Sequence, residues 1–214
     1  MTPRRVNRSP GPAPAPASEG RANPPGLREQ RKAQTRRSIQ EHALRLFLAN
    51  GYETTTVAEI AAAAGVSHMT FFRYFPTKEA VVENDEYDPL LVALIEGRPD
   101  DEGPLTTLRE AIRQGLGLVY AADRDALLVR TRLILHTPAL RARMIHNLAA
   151  TEQLFAQTLA ARADSDVTLE TRVVAAAALA ALTTAITTWA EGNGTPELPN
   201  LIDQAFDALG SLGD

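Results

Sequence analysis

The twenty residues from Thr56 to Phe75, TVAEIAAAAGVSHMTFFRYF, constrain the fold more than any other part of the chain. Ile60, Ala61 and Ala64 give a first short helix a small apolar face, and Gly65 can take the positive φ that a tight turn needs. Val66 plugs the angle between two helices, and Ser67 stands where the second one wants an N-cap. That second helix is expected to bury Phe71 with Tyr74 and Phe75, turning Ser67, His68, Met69, Thr70 and Arg73 outward. Two helices in this arrangement form a helix-turn-helix, whose second helix enters the major groove of double-stranded DNA.

Charge follows the same division of the chain. Residues 1–80 hold twelve Lys or Arg against six Asp or Glu, a balance of +6, and the remainder holds ten against twenty, a balance of -10. The formal net charge of -4 therefore conceals a basic part, suited to a polyanion, joined to an acidic one. Residues 1–26 are rich in Pro and Gly with scattered Arg, and bury too little apolar surface to offset their ordering entropy, so a disordered tail is expected there. From about Leu27 to Asn50 the pattern turns helical, with Ile39, Ala43, Leu46 and Phe47 on one face and Arg28, Arg31, Lys32, Arg36 and Arg37 in the first turns. Gly51 ends it, and Thr55 or Thr56 caps the next helix.

After Phe75, Pro76 forces a break and Thr77 offers a new cap. Lys78, at that helix start, is expected to clamp a phosphate, and the helix to run on through Val81 and Val82 with a kink or restart at Pro89. Helical patterns then recur from Leu105 to about Ala122, Asp125 to His136, Ala139 to about Arg162, Val167 to Glu191 and Leu198 to Leu209. No stretch alternates with period two, so the fold class is all-α, with about nine helices.

The sequence lacks Cys, which excludes disulfides and thiolate metal sites. His42, His68, His136 and His146 show no metal-ligand spacing, and no P-loop, nucleophile elbow or dinucleotide fingerprint is present. No enzyme activity, cofactor or metal is expected. The basic N-terminus has no apolar signal core, and the apolar stretch Val173–Ala190 is mostly Ala and Thr, so a soluble cytoplasmic protein without a membrane partner is expected.

The block TTTVAEIAAAAGVSHMTFFRYFPTKEAVV resembles the TetR family of bacterial transcriptional regulators. The likeness is carried by Gly51, Thr55, Thr56, the Ile60 to Ser67 turn, Tyr74, Phe75, Thr77, Lys78 and Glu79. Thr137-Pro138-Ala139-Leu140-Arg141 and the helix after it look like the branch that includes the mycofactocin regulator and factors with an acyl-CoA-like ligand domain. The resemblance implies a DNA-binding domain over residues 27–76 and a ligand-binding and dimerisation domain over 77–214. It further implies a homodimer on a palindromic operator and a small-molecule effector, acyl-CoA-like or otherwise apolar. Met69 stands where the family commonly has Gly, and Phe72 where it has Tyr. Phe72 has no hydroxyl for a phosphate, which leaves an apolar contact such as a thymine methyl.

The expected DNA-binding residues are thus Arg36, Arg37, Thr55, Thr56, Ser67, His68, Met69, Thr70, Phe72, Arg73, Tyr74 and Lys78. Tyr74 either reaches the DNA backbone through its hydroxyl or packs in the core. Tyr120, Arg130, Arg132, His136, His146, Asn147 and Trp189 are the polar groups that could line a ligand pocket in the C-terminal bundle. Leu179, Leu182, Ile186, Ile202 and Phe206 are candidates for a dimer interface or for ordinary core. The expected function is a ligand-responsive regulator, a repressor released from its operator by the effector. The alternative is an activator or architectural factor without an effector.

Overall fold

The computed structural model describes residues 26–82 and 88–211. Among the described residues there are nine α-helices, one 3-10 turn and no strand. They are α1 (Leu27–Asn50), α2 (Val57–Ala63), α3 (His68–Tyr74), the 3-10 turn Glu79–Val81, α4 (Asp88–Glu96), α5 (Pro104–Ala122), α6 (Arg124–His136), α7 (Pro138–Arg162), α8 (Leu169–Glu191) and α9 (Leu198–Ser211). The expected disordered tail lies outside the described residues.

Local chemistry sets the boundaries of the first elements. Thr56 caps α2 in a reciprocal box: its hydroxyl accepts from the Glu59 N–H at 3.2 Å while the Glu59 carboxylate accepts from the Thr56 N–H at 2.7 Å. The Thr56 N–H, joined by the Thr56 hydroxyl donating at 2.8 Å, holds the Glu59 carboxyl below its ordinary pKa. The turn residue Gly65 has φ +67°, as the tight corner requires, and Ser67 caps α3 by accepting from the Thr70 N–H at 3.1 Å. The helical start expected from Thr77 through Val82 is a single 3-10 turn, in which the Thr77 hydroxyl accepts from the Ala80 N–H. Residues 83–87 are outside the described residues, and α4 begins at Asp88, with Pro89 in its first turn, where a missing N–H costs nothing.

Two hydrophobic cores result. Ile39, Ala43 and Phe47 of α1 enclose Ile60, Phe71, Phe75, Val81 and Val82 in an N-terminal cluster. Ile95, Leu108, Ile112, Phe155, Trp189, Ile202 and Phe206 anchor the C-terminal cluster, in which α8 packs against α7, α9 and α5. The clusters meet at the corner between α6 and α7. Leu140 is buried in the N-terminal cluster, with Leu133 and Ile134 packed against it.

The five residues proposed from sequence as a possible dimer interface belong to the interior of one chain. Leu179, Ile202 and Phe206 are buried in the C-terminal cluster, and Leu182 and Ile186 pack against it. The spacing 179, 182, 186 marks one stripe of α8, and that stripe is the inward one. Val173, Ala180, Thr184 and Thr188 of α8 occupy the opposite, exposed stripe, and Asn200, Gln204 and Ala208 of α9 are likewise exposed.

Candidate nucleic-acid interface and internal cavity

The outward face of α3 is built from consecutive residues. Ser67, His68, Met69, Phe72 and Arg73 are exposed and Thr70 is half-buried. Met69 is 80 % exposed and Phe72 41 %, one turn apart, an apolar pair that a folded chain gains nothing by leaving in water. The His68 ring stands edge-on to Phe72 with centroids 4.8 Å apart, so Phe72 is braced and its outer edge is presented. Arg73 extends near the Tyr74 ring, 5.5 Å from its centroid. Beneath this face Phe71 and Phe75 are fully buried, and Tyr74 is half-buried, between the two alternatives open from sequence.

Several of the polar residues assigned to DNA have internal duties. Arg36 donates to the Tyr74 carbonyl at 3.1 Å and lies 4.4 Å over the Phe75 ring, which fastens α1 to the end of α3. Thr55 is buried and gives its hydroxyl hydrogen to the Gly51 carbonyl at 2.8 Å, so its side chain is turned away from any phosphate. The Thr56 hydroxyl is exposed but serves the α2 cap.

Lys78 departs most from expectation. Its ammonium donates to the Tyr52 carbonyl at 2.8 Å and the Thr55 carbonyl at 3.1 Å, and sits 4.1 Å over the Tyr52 ring. It ties the chain after α3 to the loop before α2, which makes it a brace of the domain instead of the phosphate clamp expected from its position. The Tyr52 hydroxyl in turn donates to the Glu79 carboxylate. Burial raises the Tyr52 phenol pKa, and the neighbouring carboxylate raises it further. Burial also acts to raise the Glu79 carboxyl, but the bonds from Tyr52, its own backbone and Thr77, with the Arg143 charge, outweigh it and hold the group below its ordinary value. Arg37 is exposed on α1.

In the C-terminal domain a cavity of about 510 Å³ lies between α4, α5, α6, α7 and α8. Leu90 and Leu91 of α4, Ile112, Leu116 and Val119 of α5, Met144 and Leu148 of α7, and Leu179, Leu182 and Ile186 of α8 supply most of its wall. Four polar side chains join them: Asp88, Thr131, Asn147 and Thr151. The size and apolar lining suit a small organic molecule.

Of the seven pocket residues expected from sequence, Asn147 alone lies on this wall. Trp189 is fully buried in the core, 5.7 Å from the Tyr120 ring. The Tyr120 hydroxyl donates to Glu197, and Arg124 bonds the Gly194 carbonyl at 2.7 Å, closing the α5–α6 corner onto the loop before α9. Arg132 donates to Asn193 across the same region, and His136 contacts the Arg132 carbonyl at 2.7 Å. His146 is exposed, and Arg130 lies outside the wall. The correction has a simple physical basis: polar side chains on these helices find partners at corners and surfaces, whereas a cavity is walled by apolar ones.

Sequence reasoning also missed Arg162. Its guanidinium donates to the carbonyls of Ile95 at 2.9 Å, Arg98 at 2.8 Å and Pro99 at 2.8 Å. It thus satisfies the orphan acceptors where α4 ends and places positive charge at the negative end of that helix. One end of α4 is pinned while Asp88, Leu90 and Leu91 near the other end border the cavity.

Comparison with known proteins agrees with this architecture. Residues 39–84 match the family described as bacterial regulatory proteins, tetR family, and residues 102–212 match the family described as MftR C-terminal domain. The HTH-type transcriptional regulator TcmR of Streptomyces glaucescens is 36 % identical over 158 residues, covering 71 % of this chain and 70 % of that protein. The putative mycofactocin biosynthesis transcriptional regulator MftR of Mycobacterium tuberculosis is 29 % identical over 186 residues, 85 % of this chain and 92 % of that protein. Among solved structures, Thermus thermophilus FadR, a TetR family repressor in complex with lauroyl-CoA, superposes with a TM-score of 0.51 at 27 % identity, over 81 % of this chain and 92 % of the other. The chain belongs to the TetR family of DNA-binding transcriptional regulators, with a C-terminal domain of the MftR type.

Proposed function

We propose that this regulator is a homodimeric repressor that releases a palindromic operator when a small apolar-bodied effector enters the cavity. One observation carries the reading: Val82, Ile134 and Leu140 line the cavity and also belong to the hydrophobic cluster that holds the DNA-binding helices. A molecule filling the cavity presses on the same side chains that seat α1 and the segment after α3. The effector favours a conformer in which α4 and the α6–α7 corner are displaced, and the separation of two recognition helices changes with them. The lauroyl-CoA bound by Thermus thermophilus FadR supports a ligand with an apolar body.

In this reading Ser67, His68, Met69, Thr70, Phe72 and Arg73 meet the operator, and Arg37 adds a phosphate contact. Arg73 is the residue suited to bidentate recognition of guanine, and Phe72 with Met69 to thymine methyls. A second copy is required because one short helix reads too few base pairs for useful specificity. The exposed stripe of Val173, Ala180 and Thr184, with Gln204 and Ala208 of α9, replaces the inward residues as the proposed dimer face.

Operator fragments selected with the purified protein, followed by fluorescence anisotropy with and without dodecanol as an apolar probe, test the reading. Dodecanol is expected to lower operator affinity; unchanged affinity with the cavity demonstrably occupied would sink the switch and favour a regulator without an effector.

A further inference from the structure

We infer that the cavity selects an uncharged molecule bearing a hydroxyl or carbonyl group, and discriminates against carboxylates and phosphates: its polar wall consists of two threonines, one asparagine and one carboxylate. The inference rests on the effector reading above and narrows its chemistry. Among the described residues no Lys, Arg or His lines the cavity. Arg141 and Arg143, next in sequence to or near the wall residues Leu140 and Met144, are exposed and outside the wall.

The hydrogen-bond inventory points the same way. The Thr131 hydroxyl gives its hydrogen to the Leu127 carbonyl at 2.9 Å, and the Thr151 hydroxyl to the Asn147 carbonyl at 3.3 Å. Each hydroxyl oxygen is left as an acceptor. Asn147, one turn from Thr151 on α7, brings a carboxamide with both donor and acceptor capacity. A ligand hydroxyl can donate to a threonine oxygen and accept from Asn147. An anion on the same wall meets the Asp88 carboxylate and no wall cation, so its neutral acid is the form favoured there.

Isothermal titration of the full-length protein with dodecanol, dodecanoate and lauroyl-CoA isolates the head group while keeping the chain constant. Dodecanol is expected to bind more tightly than either anion at neutral pH, by roughly two orders of magnitude. Dodecanoate affinity is expected to rise by about tenfold for each pH unit lowered in the neutral range, because the neutral acid is the species taken up. Asn147→Lys, which places a cation in the wall, is expected to invert the preference toward dodecanoate, and Asp88→Asn to narrow it. Buried Trp189, the only tryptophan of the chain, reports by fluorescence that each variant remains folded. Equal or tighter binding of dodecanoate or lauroyl-CoA to the unaltered protein overturns the inference and leaves the effector reading standing. Failure of all three probes to bind, with operator binding intact, overturns the effector reading itself and the inference with it.

Discussion

The outward face of α3 and the wall of the cavity are both candidate recognition surfaces, and they are assembled in opposite ways. The first is drawn from one seven-residue helix and its serine cap, its orientation set by two buried phenylalanines. The second collects side chains from five helices and from Val82 after the 3-10 turn, with sequence separations that reach about a hundred residues. A contiguous surface is specified by helical period and a cap, which are local. A convergent one is specified by packing, which is not. The difference also fixes what each surface can do: an exposed face can read a rigid partner, and a concave apolar one can sense a molecule that moves its walls.

The comparison is tested most severely by Phe71→Ala. Phe71 is fully exposed to none of the solvent and sits directly beneath the reading face, so its loss costs about 3–5 kcal/mol and abolishes operator binding. The cavity domain has its own core, and dodecanol binding with the Trp189 fluorescence signal is expected to survive. Loss of both together would mean that the two cores are one cooperative unit joined through Leu140.

Next in size is the contrast between two cations that sequence placed together on phosphates. Lys78→Met removes two charged hydrogen bonds and a ring contact inside the domain, and is expected to cost about 1.5–3 kcal/mol of stability in urea titration. Its operator binding should keep the salt dependence of the unaltered protein. Arg37→Ala should leave stability unchanged and reduce the slope of log affinity against log salt by about 1. The opposite assignment of these two results would restore Lys78 as the phosphate clamp.

Arg73→Ala sharpens the reading face itself. If the guanidinium reads guanine, discrimination among operator variants falls by about 1–3 kcal/mol at one position in each half-site, measured by anisotropy against a panel of single substitutions. Retained discrimination with uniformly weaker binding would move Arg73 to the phosphate backbone.

The same contrast explains what was legible in the sequence. Helices are legible in the sequence nearly throughout, because Gly51, Gly65, Thr56, Ser67 and Pro138 act on their immediate neighbours. Between Thr77 and Val82 the structure has a 3-10 turn where an α-helical start is expected, since nothing local distinguishes the two. In the bundle, polarity in the sequence points to Arg132, His136 and Trp189 as ligand groups. Those side chains are held by Asn193, the Arg132 carbonyl and the core, and the cavity wall is made of leucines and methionine that sequence could equally have assigned to a filled interior. Arg162 was invisible for a related reason: its partners are backbone carbonyls more than sixty residues away, and a carbonyl leaves no trace in sequence.

The smallest expected effect concerns pH and returns to the two regions. Glu79 is held ionised by the Tyr52 hydroxyl and its other partners despite burial, so its carboxyl titrates below its ordinary value of 4.5. A carboxyl lowered in the folded state stabilises above its unfolded pKa, and that contribution disappears as pH falls from about 4.5 through the lowered folded value. Tyr52, raised in the folded state, contributes up to its ordinary 10.0 and progressively less as pH rises beyond it. Both groups adjoin the N-terminal hydrophobic cluster, Tyr52 within it and Glu79 next to its Ala80. Hydrogen exchange resolved by peptide should therefore show the segments around Tyr52 and Glu79 losing protection at acid and alkaline pH before α8 does. Tyr52→Phe removes the hydroxyl that couples the pair, and is expected to flatten that pH response while costing about 0.5–1.5 kcal/mol at neutral pH. If α8 loses protection in step with Tyr52 at both extremes, titration acts on the whole chain, and the independence of the reading face from the cavity domain does not extend to stability.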